Sequence, residues 1–181
     1  MHEKRFNREI ERLRDPDRIA RLEVARVVEL VLAGLEDTKT LLDIGTGSGL
    51  FAEQFAVKGL EVTGLDANPE MITAAQMFVP TAQFRIGVAE KLPFENNSFD
   101  ILFMGLLLHE VDDLEKAISE ASRVTIQRIA VLEWPYEVGE FGPPLEHRLS
   151  VEKIESAAKL VGLEIKKQER MDHLVLYMLE K

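Results

Sequence analysis

The chain has 181 residues, 46% apolar and 30% charged, which suits one domain with a sizeable core. Its formal net charge of -10 repels phosphate backbones, so nucleic acid is not an expected partner. No cysteine is present for disulfides or thiolate metal sites, "MHEKRFNREI" lacks the apolar centre of a leader, and the longest apolar runs are too short to span a bilayer, so a cytoplasmic protein without membrane contact is expected.

Residues 1 to 14 are polar and read as a loose arm. The arginine-rich stretch from Lys4 to Arg26 also carries many acids and reads as a mixed, solvated helix face. Asp15-Pro16-Asp17 is a helix start, because Asp15 can cap and Pro16 needs no donor in a first turn. Ile19, Leu22, Val27, Leu30 and Val31 continue it at helical spacing, and Gly34 stops it. Thr40 to Ile44 then reads as a strand, followed by the turn "GTGSG" and a helix near Leu50 to Val57 that ends at Gly59. "LEVTGLD" (60 to 66) is a second strand, and Asn68-Pro69 opens a helix to about Phe78. "AQFRIGV" (82 to 88) is a third strand, and "FDILFMGLLL" (99 to 108) holds a fourth, apolar enough to be buried on both faces.

"DLEKAISEASRV" (113 to 124) is an amphipathic helix and "RIAVLEW" (128 to 134) a fifth strand. Residues 135 to 149 hold Gly and Pro without a period and read as a long loop at the strand ends. Ser150 caps a helix reaching Val161, with Gly162 as its stop, and "LEIKKQE" and "HLVLYML" are two closing strands. Their short connection around Arg170 to Asp172 permits only an antiparallel pair. The expected fold is α/β: a Rossmann-like, doubly wound sheet of seven strands, mostly parallel with the last strand antiparallel, and helices on both faces.

The glycine turn raises the functional question. Gly45, Gly47 and Gly49 follow the first strand at G-x-G-x-G spacing, not the G-x-G-x-x-G of a pyrophosphate turn. Asp43 ends the buried strand, where a carboxylate needs donors or a cationic ligand. Asp66, about twenty residues on, suits the two hydroxyls of a ribose, or a helix cap before Asn68, or both. A tight turn with no ligand is the alternative.

Together, "LLDIGTGSG", "VTGLDANPEM" and "GVAEKLPFENNSFDILFMGLLLHEVDD" resemble the S-adenosylmethionine-dependent class I methyltransferases, in their ubiquinone-biosynthesis-like small-molecule branch. The resemblance covers about residues 38 to 134, with "HRLSVEKIESAAKLVGLEI" similar to the end of that fold. It implies S-adenosyl-L-methionine as cofactor, an in-line methyl transfer and a small-molecule acceptor. It divides one domain, 1 to 181, into a helical arm (1 to 36), a cofactor-binding core (38 to 134) and a substrate-side loop with closing helix and strands (135 to 181). By the same resemblance Asp43 would orient the glycine loop, while Gly45, Thr46, Gly47 and Gly49 would carry the methionine part. Asp66 would hold the ribose, and Ala67, Met71, Ala89 and Glu90 would surround the adenine. Met104 and Gly105 would line the methyl-facing side. Val88 stands where many relatives carry an acid, and "VTIQR" (124 to 128) replaces the family's usual glycine turn.

Methyl transfer needs a general base only where the acceptor must lose a proton. His109 follows the fourth strand, and Glu133, Trp134 and Tyr136 follow the fifth. His147 and Arg148 lie in the loop before the closing helix, where an arginine suits a carboxylate or phosphate substrate or a surface ion pair. His109, Glu133, Tyr136 and His147 are therefore the catalytic candidates. His2 and His173 look incidental, and the four histidines show no metal-ligand spacing. Cofactor binding without transfer is a second reading. A nicotinamide oxidoreductase is a third, disfavoured by the glycine spacing and Asp43. The chain is expected to be a monomer or homodimer.

Overall fold

A computed structural model describes residues 10–181; His2 and the start of the expected arm lie outside the described residues. The arm region forms three short helices, α1 (Ile10–Leu13), α2 (Pro16–Arg21) and α3 (Val24–Leu32). Asp15 caps α2 as its sequence suggests, accepting from the backbone N–H groups of Asp17 and Arg18 at 3.0 and 3.2 Å. The single helix expected from Asp15 to Gly34 is instead broken at Glu23, whose backbone is left-handed (φ 47°). The Glu23 carboxylate holds that break in place by accepting from Arg26 at 2.7 Å and from the Asp172 N–H at 3.0 Å.

The seven strands are β1 (Thr40–Ile44), β2 (Glu61–Asp66), β3 (Gln83–Ile86), β4 (Phe99–Gly105), β5 (Thr125–Glu133), β6 (Glu164–Arg170) and β7 (Val175–Glu180). They lie side by side in the order β3-β2-β1-β4-β5-β7-β6. β1 to β5 pair in parallel, and β7 runs antiparallel to both β5 and β6. The crossover helices are α4 (Leu50–Val57), α5 (Pro69–Phe78), α6 (Leu114–Val124) and α7 (Val151–Lys159), with a single 3-10 turn at Leu145–His147. Among the described residues no helix is long and apolar enough to cross a membrane.

Two apolar layers sandwich the sheet, because consecutive strand residues point to opposite faces. Leu41, Ile101, Phe103, Ala130 and Leu176 pack with α3 and α4 on one side. Leu42, Leu102, Met104, Val131 and Tyr177 pack with α6 and α7 on the other. The sheet order reverses between β1 and β4, which opens a crevice beyond their C-terminal ends.

Three local expectations shift. β3 ends at Ile86 because the chain turns at Gly87, and Val88 pairs only in an isolated bridge to Lys91. β5 starts at Thr125, directly after α6, so the missing glycine turn is no longer than a peptide bond. The α6 carbonyls of Arg123 and Val124 accept from Asn97 and Ser98, and the Thr125 hydroxyl donates to the Ala121 carbonyl at 2.7 Å. Ser150 sits at the N-cap of α7, yet its side chain makes no cap bond.

Arg128 is the buried polar element that joins the sheet to the arm region. Its guanidinium donates to the Val31 and Ala33 carbonyls at the end of α3 and to Glu180 at 2.7 Å. Arg128→Met should lower unfolding free energy by about 2–4 kcal/mol, since it strands these acceptors. Urea unfolding should show an earlier midpoint with an unchanged slope.

Candidate active site

The crevice at the β1/β4 switch is a cavity of about 1600 Å³. Its floor is the loop after β1, from Gly45 to Ser48, and one side is the β2 end, from Asp66 to Met71. Gly87 to Glu90, Gly105 to Leu107, His109, Glu110 and Trp134 continue the wall, and α2 with residues 140 to 144 and His147 closes it.

The glycine loop is shaped by backbone angles that other residues resist. Gly45 (φ 70°) and Gly47 (φ 53°) are left-handed, and a β-carbon on Gly45 would meet Leu107 at 2.9 Å. The N–H groups of Gly45 and Thr46 both donate to the Leu65 carbonyl, at 2.8 and 3.1 Å. Asp66 accepts from Gly47 N–H with one carboxylate oxygen and from Asn68 N–H with the other, each at 2.9 Å. It thus joins the loops after β1 and β2 while facing the cavity. Its role before α5 is shared, because Asn68 itself caps that helix by accepting from Glu70 N–H at 2.9 Å.

Asp43 lies beneath this loop and is 2% exposed. The Thr46 hydroxyl donates to it at 2.7 Å. Burial pushes its carboxyl up to about 7, the Thr46 hydrogen bond opposes that rise, and the charge of Asp66 adds to it. Asp43 supports the loop without lining the cavity, and so does Gly49, whose backbone packs against Ala75 and Val79 of the α5 end. Met104 is also in the core layer rather than the cavity wall. Gly45, Thr46, Gly47, Asp66, Ala67, Met71, Val88, Ala89, Glu90 and Gly105 all line it. Glu90 accepts from Asp112 N–H at 2.9 Å, which fixes the segment after Val88 against the loop before α6.

The catalytic candidates separate clearly. Glu133, at the end of β5, is 1% exposed and sits behind His109. Its carboxylate accepts from His109 Nδ1 at 2.8 Å, so a neutral ring presents Nε2 as the acceptor on its other side. His109 lines the cavity, and Glu110 Oε1 lies 3.7 Å from Nε2. Burial disfavours the charged ring, but the adjacent charge and hydrogen bond of Glu133 outweigh it and hold the His109 pKa above its usual 6.5. Between β4 and His109, Leu106 has a left-handed backbone (φ 57°), a strained turn that puts Leu107 on Gly45 and brings His109 back to Glu133. His147 lines the cavity, whereas Tyr136 is 55% exposed and outside it.

Arg148 has neither role suggested by its position. It is buried, and its guanidinium donates to the carbonyls of Pro135, Glu137, Phe141 and Pro143, which organises the loop from within. The arm also departs from the expected solvated face. Arg12, Arg18 and Arg21 line the cavity, and Leu13 packs over Gly47. Arg14 binds Glu53 at 2.7 Å and the Ser48 carbonyl at 2.9 Å. Ser48 was not singled out from sequence, although its buried hydroxyl has no hydrogen-bond partner among the described residues. A serine between two loop glycines was its only sequence signal. Arg21, Glu110 and Phe141 carried none, because only the fold brings them together.

Among the described residues no group of His, Asp and Glu is arranged to hold a metal ion.

Asp43→Asn should test the buried acid. Both folded and unfolded carboxyls are protonated below about pH 3.9, so no penalty exists there. As pH rises toward 7 the unfolded chain releases the proton first, and the wild type loses stability until the folded carboxyl also ionises. The variant escapes this loss. Relative to wild type, it should gain on the order of 3 kcal/mol between pH 4.5 and pH 8 in denaturation of the cofactor-free protein.

Residues 42–128 match the sequence family described as a methyltransferase domain. The demethylmenaquinone methyltransferase of Chlorobaculum tepidum is 35% identical over 109 residues, covering 60% of this chain and 45% of that protein. An uncharacterized methyltransferase of Bacillus subtilis is 39% identical over 92 residues, covering 48% of this chain and 36% of its own. The chain therefore spans under half the length of these relatives. A crystal structure of a SAM-dependent methyltransferase from Aquifex aeolicus superposes with a TM-score of 0.83 at 24% identity, covering 94% of this chain and 95% of that one.

Proposed function

We propose, from the match of residues 42–128 to the methyltransferase-domain family and from the seven-stranded fold shared with a SAM-dependent methyltransferase, that the protein transfers a methyl group from S-adenosyl-L-methionine to a small molecule. The residues present fit that cofactor. An acid on the second strand faces the cavity, a left-handed glycine loop keeps β-carbons away from the floor, and the Ser48 hydroxyl is buried there without a partner among the described residues. Asp66 would hold the ribose hydroxyls, and Gly45 to Ser48 the methionine end. Ala67, Met71, Val88, Ala89 and Glu90 would border the adenine. Asp43, Gly49 and Met104 would act from behind this surface. The cofactor, when bound, supplies the methyl carbon and a neutral leaving group.

The observation that carries the reading further is the His109–Glu133 pair. Glu133 fixes the ring so that Nε2 is positioned as a general base for an acceptor in the cavity. The apolar wall of Leu106, Trp134 and Phe141 would exclude water from that step. His147 lines the same cavity without a carboxylate partner like Glu133 among the described residues, and would contact the acceptor instead of taking its proton. Tyr136, outside the cavity, takes no part in this reading. We keep one domain over the whole chain, acting in the cytoplasm as a monomer or homodimer. The net charge of -10 supports an acceptor other than nucleic acid.

Calorimetry with S-adenosylhomocysteine tests the cofactor half: saturable binding is expected, and a folded protein that takes up none would end the reading. Asp66→Ala should weaken that binding by about 1–3 kcal/mol, the loss of charge-assisted hydrogen bonds. Once an acceptor is identified by mass spectrometry, His109→Gln should lower kcat by about 10²–10⁴-fold with cofactor affinity retained. The wild-type rate should rise with pH as His109 becomes neutral, with its midpoint above 6.5. Glu133→Gln removes the larger of the two carboxylate charges that raise the ring pKa, leaving Glu110, so the midpoint should move to lower pH while the maximal rate falls. A profile unchanged by Glu133→Gln would exclude the pair as the base.

A further inference from the structure

The charge along the cavity is unevenly placed. Asp66, Glu70 and Glu90 lie on the side formed by β2 and the segment after β3. The arginines of the wall, Arg12, Arg18 and Arg21, all come from the arm. Arg18 is committed in part to the fold, since its guanidinium donates to the Leu13 carbonyl at 2.8 Å. Arg21 differs. Its guanidinium lies 4.2 Å from the centre of the Phe141 ring, and among the described residues no carboxylate forms an ion pair with it. An aromatic face supports a cation but does not neutralise it.

Arg21 stands against Phe141, whose neighbour Gly142 packs on the Trp134 ring in the same cavity lining. Phe141, Pro143, Pro144 and Trp134 make this wall apolar. Besides Asp15, which lines the cavity while capping α2 on the arm itself, two further acids line it. Glu110 faces His109, and Glu140 is on an exposed part of the loop. Neither pairs with Arg21. A planar, permanently charged donor fork on an aromatic-lined wall matches an anionic group on a flat apolar body.

We propose that Arg21 is a specificity residue for the acceptor, binding a carboxylate or phosphate group of a small aromatic or similarly apolar molecule. This rests on the methyltransferase reading for the position of the acceptor, and it adds the acceptor's charge. His109 and Arg21 then divide the work: the histidine handles the proton of the accepting atom, and the arginine fixes the other end of the molecule.

The chain's single tryptophan, Trp134, lies in this wall and reports on it. Fluorescence titrations of protein saturated with S-adenosylhomocysteine should compare benzoate and phenyl phosphate with neutral benzamide. At least one anion should bind about tenfold more tightly than benzamide, the worth of one charge-assisted pair. Arg21→Gln should abolish that preference, Arg21→Lys should keep part of it, and Phe141→Leu, which removes the ring but not the charge, should keep it. Equal affinity of anions and benzamide, no quenching by either anion, or a preference that survives Arg21→Gln would overturn the proposal. Because S-adenosylhomocysteine is bound throughout, such a failure leaves the methyltransferase reading standing. Failure to bind that product at all would instead remove the reading itself.

Discussion

The carboxylate of Asp66 accepts from Gly47 in one loop and from Asn68 in the next, and the cavity depends on that bridge. The backbone also ties these loops, since the N–H groups of Gly45 and Thr46 donate to the Leu65 carbonyl near the end of β2. A charged acceptor with two oxygens can hold two such loops at a fixed separation, because hydrogen bonds to a carboxylate are stronger than neutral ones. Everything on the nucleoside side follows from it. Gly47 is placed for Leu13 to pack over it, Asn68 begins α5 in a set direction, and the glycine loop meets Leu107 on its far side. The same group thus joins two loops and faces the cavity, and each position restrains what the other permits.

A second acid has the opposite character. Asp43 is enclosed beneath the loop, where hydrogen bonds from the Thr46 hydroxyl and the Ala52 backbone do not offset its burial. It is held by the fold at a cost in stability, and it adjoins the place where a positively charged ligand end is proposed to lie. A residue kept against its own solvation preference is one whose benefit is found outside the isolated chain.

Much of this architecture was legible from residue pattern. Alternation of strands and helices, the apolar fourth strand and the short connection at Arg170 to Asp172 led to the seven-stranded sheet, because each is a local signal of period or length. Boundaries moved where a single contact overrode the local pattern. Glu23 breaks the arm where it meets Asp172, which is far away in sequence, and β5 begins early where Asn97 and Ser98, in the turn before β4, donate to the last carbonyls of α6. The cavity was less legible than the fold. Glu133 and His109 could be picked out by their places after strands, but not their 2.8 Å contact. Arg148 and Arg21 look alike in sequence; one is consumed by four loop carbonyls and the other faces the cavity, a difference set by tertiary packing alone.

The closeness of Gly45 to Leu107 has an evolutionary consequence. A β-carbon at 45 would lie 2.9 Å from the Leu107 side chain, so the floor of one subsite and the wall of the next share a single layer of atoms. Substitutions at these two positions are therefore not independent, since the size allowed at one is set by the other. Descendants of this chain that change the Leu106–Leu107 turn would meet that shared layer from one side only, because the left-handed backbone at 45 (φ 70°) holds glycine there whatever position 107 becomes.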